Sequence, residues 1–273
     1  MPEKIWTRHN LNINGLELDA KFTKPAADTV FKPFLRKLTE LQGMMDRKIV
    51  AFLAAPPAAG KTTLAQFLEK LSREDPMLTN IRALGMDGFH YDSAYLKSNK
   101  ILRDGAEILM NDIKGAPETF DVDAMQIKLR EVRQEGTDWN AYDRTIHDVI
   151  HDAISVEDDI VLVEGNYLLL DEPRWTNIRV LADYTVFVKA DPEYLKDRLI
   201  FRKQRSGLTR EQAENFYRNS DSKNVIRVLK NSARANETWQ LELDGDYAKI
   251  DDEDEDFDGV VFDDKKFADA GES

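Results

Sequence analysis

An unbroken apolar run, Ile49-Val-Ala-Phe-Leu-Ala54, follows Lys48. A strand turns alternate side chains to opposite faces, so such a run predicts a strand covered on both, as in a parallel sheet. Ile81 to Met86, Ile160 to Glu164 and Tyr184 to Ala190 repeat the pattern, and Trp239 to Leu243 is a weaker fifth. Helical spacing fills 61–73, 122–135, 192–206 and 209–235. Strands alternating with helices predict βαβ units, and so an α/β fold with helices on both faces of a parallel sheet. Upstream, residues 7–23 alternate around Asn14-Gly15, a pair suited to a type I′ turn, and predict a hairpin. Val30, Phe31, Phe34, Leu35, Leu38 and Leu41 then predict a helix within 28–43.

The 273 residues, 42% of them apolar, suit one large domain with a substantial core. Net charge changes the picture at one end only. Of the −13, the segment 251–273 carries −9, from eleven acids and two lysines. Like charges at this density, with few core-forming residues, predict a flexible acidic tail. The expected division is a folded body over 1–248, with hairpin and helix in 1–47, and a disordered tail over 249–273. Neither part has the basic footprint of a nucleic-acid binder, so no nucleic-acid partner is expected. The chain has no cysteine, which excludes a disulfide framework and a thiol nucleophile. Met1 to Thr7 has no apolar stretch of the signal-peptide kind. Ile49 to Gly60 is too short to span a bilayer, so a cytoplasmic protein without a membrane partner is expected. A homodimer and a contact made by the tail are left open.

Candidate chemistry begins directly after the first strand, at Ala55-Pro-Pro-Ala-Ala-Gly60-Lys61-Thr62-Thr63. A helical stretch, Leu64 to Leu71, follows. This approaches the P-loop pattern G-x-x-x-x-G-K-[ST]. Ala58, Ala59, Gly60, Lys61, Thr62 and Thr63 are the expected nucleotide-phosphate site, because backbone N–H groups at a helix start face anions. Lys61 would neutralise β- and γ-oxygens, and the Thr62 hydroxyl would ligate magnesium. ATP and Mg2+ are therefore the expected cofactors. Ala55 stands at the first glycine position, where alanine loses freedom at positive φ, so a slightly different loop entry is expected.

In open parallel sheets ligands bind beyond the carboxyl ends of strands. Asp87 stands there after the second strand, placed to accept a proton from a hydroxyl; the competing reading of Asp87-Gly88 is a plain turn. His90 is either a substrate contact or a satisfied structural group. Glu164 ends the third strand and suits a magnesium hydration shell, or is an ordinary charged strand end. Lys114 to Asp121, with Glu118, and Trp139 to Arg144 read equally as substrate contacts and as surface packing. Arg198 and Arg202 fall in a basic patch with Lys203 and Arg205. Arginines closing over ATP can stabilise a transferring phosphoryl group. The alternative is a solvated helix face paired with Glu193 and Asp197. His147 and His151 have the spacing of one helix face, but a third zinc ligand is not evident nearby.

Together, Phe52 to Thr63, Met86-Asp-Gly-Phe-His90, Lys114-Gly-Ala-Pro-Glu-Thr-Phe-Asp121, Tyr142-Asp-Arg144, Val163-Glu-Gly-Asn-Tyr-Leu-Leu-Leu-Asp-Glu-Pro173 and the Arg198/Arg202 helix carry a family resemblance. From about residue 11 to 240 the chain resembles the nucleoside/nucleotide kinase-like P-loop proteins allied to uridine kinase, phosphoribulokinase and bacterial pantothenate kinase. Some members are labelled fructose-transport kinases. The resemblance implies a P-loop NTPase three-layer sandwich with a five-stranded parallel core, and ATP-dependent phosphorylation of a small-molecule substrate. It implies Asp87 as base, Glu164 near magnesium, and Arg198 and Arg202 in a lid. It also implies substrate contacts at His90, Glu118 and Arg144. It names no acceptor among sugars, nucleosides and similar metabolites. The rival reading is a nucleotide-binding regulatory or interaction protein with no metabolite acceptor.

Overall fold

A computed structural model describes residues 4–13, 16–103 and 105–250. The predicted Asn14-Gly15 turn and the acidic segment 251–273, with any contact it makes, lie outside the described residues.

The chain opens with a hairpin of β1 (Trp6–Ile13) and β2 (Leu16–Thr23). A helical run follows: α1 (Lys24–Ala26), a π turn (Ala27–Phe31) and α2 (Lys32–Met45). Then come β3 (Ile49–Ala54), α3 (Lys61–Glu74), β4 (Ile81–Gly85) and α4 (Ser93–Ser98). A small hairpin, β5 (Lys100–Arg103) with β6 (Ala106–Leu109), leads to α5 (Val122–Glu131). A longer hairpin, β7 (Thr137–Asp143) with β8 (Asp148–Val156), precedes β9 (Ile160–Gly165). The last stretch holds α6 (Thr176–Arg179), β10 (Tyr184–Ala190), α7 (Pro192–Arg205), α8 (Arg210–Phe216) and α9 (Ser222–Asn231). Strands β11 (Glu237–Leu241) and β12 (Tyr247–Ile250) complete it.

The main sheet has the order β12-β11-β10-β3-β9-β4. The five predicted strands run parallel. The sixth, β12, adds antiparallel to β11 and was not anticipated. It carries the folded body to Ile250, two residues past the expected boundary at 248. β3 is buried along its whole length. Its alternate residues feed two cores: Ile49, Ala51 and Leu53 pack with α2, α3 and α7, while Val50, Phe52 and Ala54 pack with α5 and the β7–β8 side. This is the three-layer α/β sandwich. The order also fixes the site. β3 has β9 on one side and β10 on the other, so the connections leaving its carboxyl end diverge and open a crevice there.

Two expectations are corrected. The helical pattern of 209–235 is broken by a π turn at Tyr217–Asp221 and ends at Asn231. His147 and His151 do not share a helix: His147 takes φ 55° in the β7–β8 turn, and His151 lies in β8. The N-terminal hairpin is pinned to α3, with the Phe22 and Phe67 rings stacked at 3.9 Å and 4°. Such pairs add about 0.5–1.5 kcal/mol beyond their area burial. The anchoring holds Ile13 and Leu18 over the crevice mouth.

Candidate active site

The crevice is a cavity of about 600 Å³ at the carboxyl end of β3. Its floor is the loop from Pro57 to Thr63. Gly60, at φ 87° and ψ 18°, caps α3, and its carbonyl accepts from Leu64 N–H at 3.0 Å. Ala58 is left-handed too, at φ 64°. Ala55 is not among the positive-φ residues and is fully buried. The loop therefore enters without strain at the first glycine position, and its left-handed turn falls later. Ala58, Gly60, Lys61, Thr62 and Thr63 line the cavity. Ala59 is buried beneath it, and its carbonyl accepts from the Tyr247 hydroxyl at 3.3 Å. That contact, from β12, braces the loop from behind.

Glu164 lies under the loop, in the β9 end. Thr62 Oγ1 donates to Glu164 Oε1 at 2.8 Å, and Lys61 Nζ stands 3.9 Å from Oε2. That second oxygen is buried and has no hydrogen-bond partner among the described residues. Burial pushes the carboxyl above its usual range; Lys61 pulls it down and nearby Asp87 pushes it further up. An orphaned buried oxygen beside a hydroxyl and a second carboxylate is a hard-oxygen donor set, and it fits magnesium. That ion keeps several waters and is held by one or two carboxylates plus substrate phosphates. Among the described residues, no three His, Asp or Glu side chains form a metal cage of their own.

Asp87 and His90 come from the single helical turn Met86–Phe89 and the residue after it, directly beyond β4. Both line the cavity. Trp139 Nε1 donates to Gly85 O at 2.9 Å and fixes the strand end. A Cβ on Gly88 would stand 2.2 Å from Asn140 O, so glycine lets this turn lie against β7. Asp87-Gly88 thus forms a turn, and Asp87 within it lines the cavity. Gly88→Ala is expected to destabilise the protein by ~1–3 kcal/mol, the usual cost of overpacking, because backbone must move. Thermal denaturation checks it; an unchanged midpoint would mean that β7 does not hold the turn.

The His90 ring stacks on Phe120 at 3.8 Å and 27°, with Nδ1 3.3 Å from Thr119 O. Burial pushes its pKa below the ordinary value, against a smaller upward pull from Asp87. The unfolded chain then binds a proton that the native state refuses. Stability is fully present above the unfolded value of about 6.5 and is lost as pH falls towards the depressed native one. Relative to wild type, His90→Asn should flatten the decline in melting temperature between pH 7 and 5. Parallel declines would show that other groups carry it.

Arg144 follows β7 at the hairpin turn and lines the cavity from the side. Asn166 joins it, with Oδ1 buried and unpartnered among the described residues. In the sequence Asn166 is a lone polar residue two positions after Glu164, with no pattern of its own to mark it. Arg198 and Arg202 enter from α7. Arg198 donates to the Tyr194 hydroxyl at 3.0 Å, and its Nη2 would lie 3.5 Å from a Cβ on Gly60. Glu193 pairs with Lys196 instead, so the helix face is not the predicted set of acid–arginine pairs. Phe201 is exposed between the two arginines and also faces the cavity.

Glu118 is not brought to this cavity. It lies in the turn Pro117–Thr119 and accepts from Arg227 Nη1 at 2.6 Å. The expectation of an acceptor contact there meets a side chain already engaged by an arginine 109 residues away.

A phosphate loop after the central strand, with acids at the ends of β9 and β4 and arginines over the mouth, defines a P-loop kinase. Residues 50–234 match the description "Phosphoribulokinase / Uridine kinase family", and the chain belongs to that family. It is 41% identical to the uncharacterized protein YggC of Escherichia coli over 238 residues, 87% of this chain and 97% of that one. It is 32% identical to a Schizosaccharomyces pombe protein provisionally named a uridine kinase, over 68% of this chain and 80% of the relative. A solved Silicibacter structure, provisionally described as a fructose transport system kinase, superposes with TM-score 0.63 at 28% identity. That match covers 74% of this chain and 98% of the other. Among the described residues no helix is long and apolar enough to cross a membrane.

Proposed function

We propose that this chain transfers the γ-phosphoryl group of Mg-ATP to a hydroxyl of a small metabolite such as a sugar or nucleoside. The observation that carries this is Asp87, which opens onto the same cavity as Lys61 and Thr62. A nucleotide switch or simple ATPase has no need of a base for a substrate alcohol. Lys61 and the loop N–H groups bind and orient the phosphates. Thr62 and Glu164 would hold magnesium, which would supply positive charge to offset that of the phosphates. Asp87 accepts the hydroxyl proton as the acceptor oxygen bonds to the γ-phosphorus and the bond to the β-phosphate oxygen breaks, releasing ADP. His90, Arg144 and Asn166 wall the acceptor side. Arg198 and Arg202 stabilise the transferring group and exclude water.

Arg202→Ala should lower kcat more than it raises the KM for ATP, because its charge is needed most when the phosphoryl group is in flight. A pure KM effect would make it a ground-state contact. The acceptor is found by incubating the protein with Mg-ATP and pooled sugars, nucleosides and vitamins. One compound should gain the mass of one phosphoryl group. Nucleotide bound with no compound phosphorylated would favour the regulatory reading.

A further inference from the structure

A second cavity, of about 500 Å³, lies between α9 and the β5–β6 hairpin. Four cations line it: Arg103 from β5, and Lys223, Arg227 and Lys230 from α9. Spacings of four and three residues put the α9 cations on one helical face. The opposite face, with Asn224, Val225 and Val228, is buried. A solvated helix stripe would show the same spacing, but it would not draw a fourth cation from a separate hairpin across a cavity. The acids at hand are Glu118, which lines the cavity, and Glu172 behind it. Both are engaged by Arg227: Nη1 to Glu118 Oε1 at 2.6 Å, and Nε to the Glu172 oxygens at 2.8 and 3.0 Å. Arg103 stands close enough to Glu172 to help hold its carboxyl below the usual range, while Lys223 forms no salt bridge among the described residues, in a chain whose net charge is −13. Four cations against the two acids Glu118 and Glu172 leave this surface with a net positive charge. Glu118 Oε2 is also buried and unpartnered, an acceptor with nothing to accept from.

We infer that this cavity binds a phosphorylated, hydroxyl-bearing metabolite, separate from the nucleotide and acceptor crevice. Arg103, Lys223 and Lys230 take the phosphate, for which cations from two elements give a fixed cradle. Glu118 Oε2 accepts a hydroxyl of the same ligand. The site connects to the crevice through a short path. Glu118 belongs to the turn Pro117–Thr119, and the Thr119 carbonyl both accepts from Tyr91 N–H at 3.0 Å and faces His90 Nδ1. A ligand that draws on Glu118 thus acts on the segment that holds His90 against Phe120.

The test must separate this cavity from the P-loop, which also takes phosphate. Full-length Lys61→Ala protein is titrated calorimetrically with ribose 5-phosphate and, separately, with inorganic phosphate. The same titrations follow in Lys61→Ala protein that also carries Lys223→Gln and Lys230→Gln. Both lysines are exposed and glutamine has similar helix propensity, so the helix is retained. Ribose 5-phosphate should bind the Lys61→Ala protein more tightly than phosphate, and at least ~10-fold more weakly once the lysines are gone, the loss expected of removed charge-assisted contacts. The affinity should fall with added salt. No binding in the Lys61→Ala background, or equal binding with and without Lys223 and Lys230, overturns the site. Equal affinity for the two probes overturns the role of Glu118.

Discussion

Asp87→Asn is expected to lower kcat by about 10²–10⁴-fold, the usual contribution of a general base, with little change in ATP affinity. Asparagine keeps the size of the side chain and cannot take a proton. Asp87 opens onto the cavity from beyond β4 rather than from the phosphate loop, so the nucleotide keeps its contacts. The substitution also removes a negative charge that raises the Glu164 carboxyl. Magnesium affinity is therefore measured alongside kcat, by titrating the ion at saturating ATP. A kcat within threefold of wild type on the true acceptor would remove Asp87 from the base role. A loss recovered fully by excess magnesium would reassign it to the metal.

The parallel core was readable because burial on both faces leaves a signature that needs no partner sequence: Ile49 to Ala54 and Ile160 to Val163 are apolar at every position. The phosphate loop and the two carboxylates were readable because strand ends are where such a sheet binds ligands. What escaped depends on contacts distant in sequence. β12 sits at the sheet edge, beside a run of acids, and its few apolar residues blend into that segment. Tyr247 reaches back 188 residues to Ala59, and nothing local marks it. The β7–β8 hairpin is half exposed, so Trp139, wholly buried, stands among polar neighbours that look like loop. Glu118 and Phe120 flank Thr119, yet Phe120 lines the first cavity and Glu118 the second. Which way a turn aims its side chains is set by what packs against it, here Arg227 on one side and His90 on the other.

Lys61→Ala should remove turnover, by roughly 10³-fold or more, since one preorganised donor alone is worth about 10²–10³ and this one carries a full charge. The structure adds a second consequence. Lys61 is the countercharge that pulls the buried Glu164 carboxyl down, from 3.9 Å. Without it the carboxyl rises further, so Glu164 holds a proton in the native state where the unfolded chain releases it. A native pKa above the unfolded one gives stability that is present at low pH and is lost as pH rises through the native value. The variant should therefore melt closer to wild type at pH 5 than at pH 8. Lys61→Ala combined with Glu164→Gln should erase that difference while staying inactive. This separates the catalytic charge from its structural use: the double variant recovers stability at pH 8 without recovering turnover. Full activity in Lys61→Ala would sink the phosphate-loop assignment. Inactivity with a melting profile parallel to wild type at every pH would leave Lys61 its phosphate role and deny it the hold on Glu164.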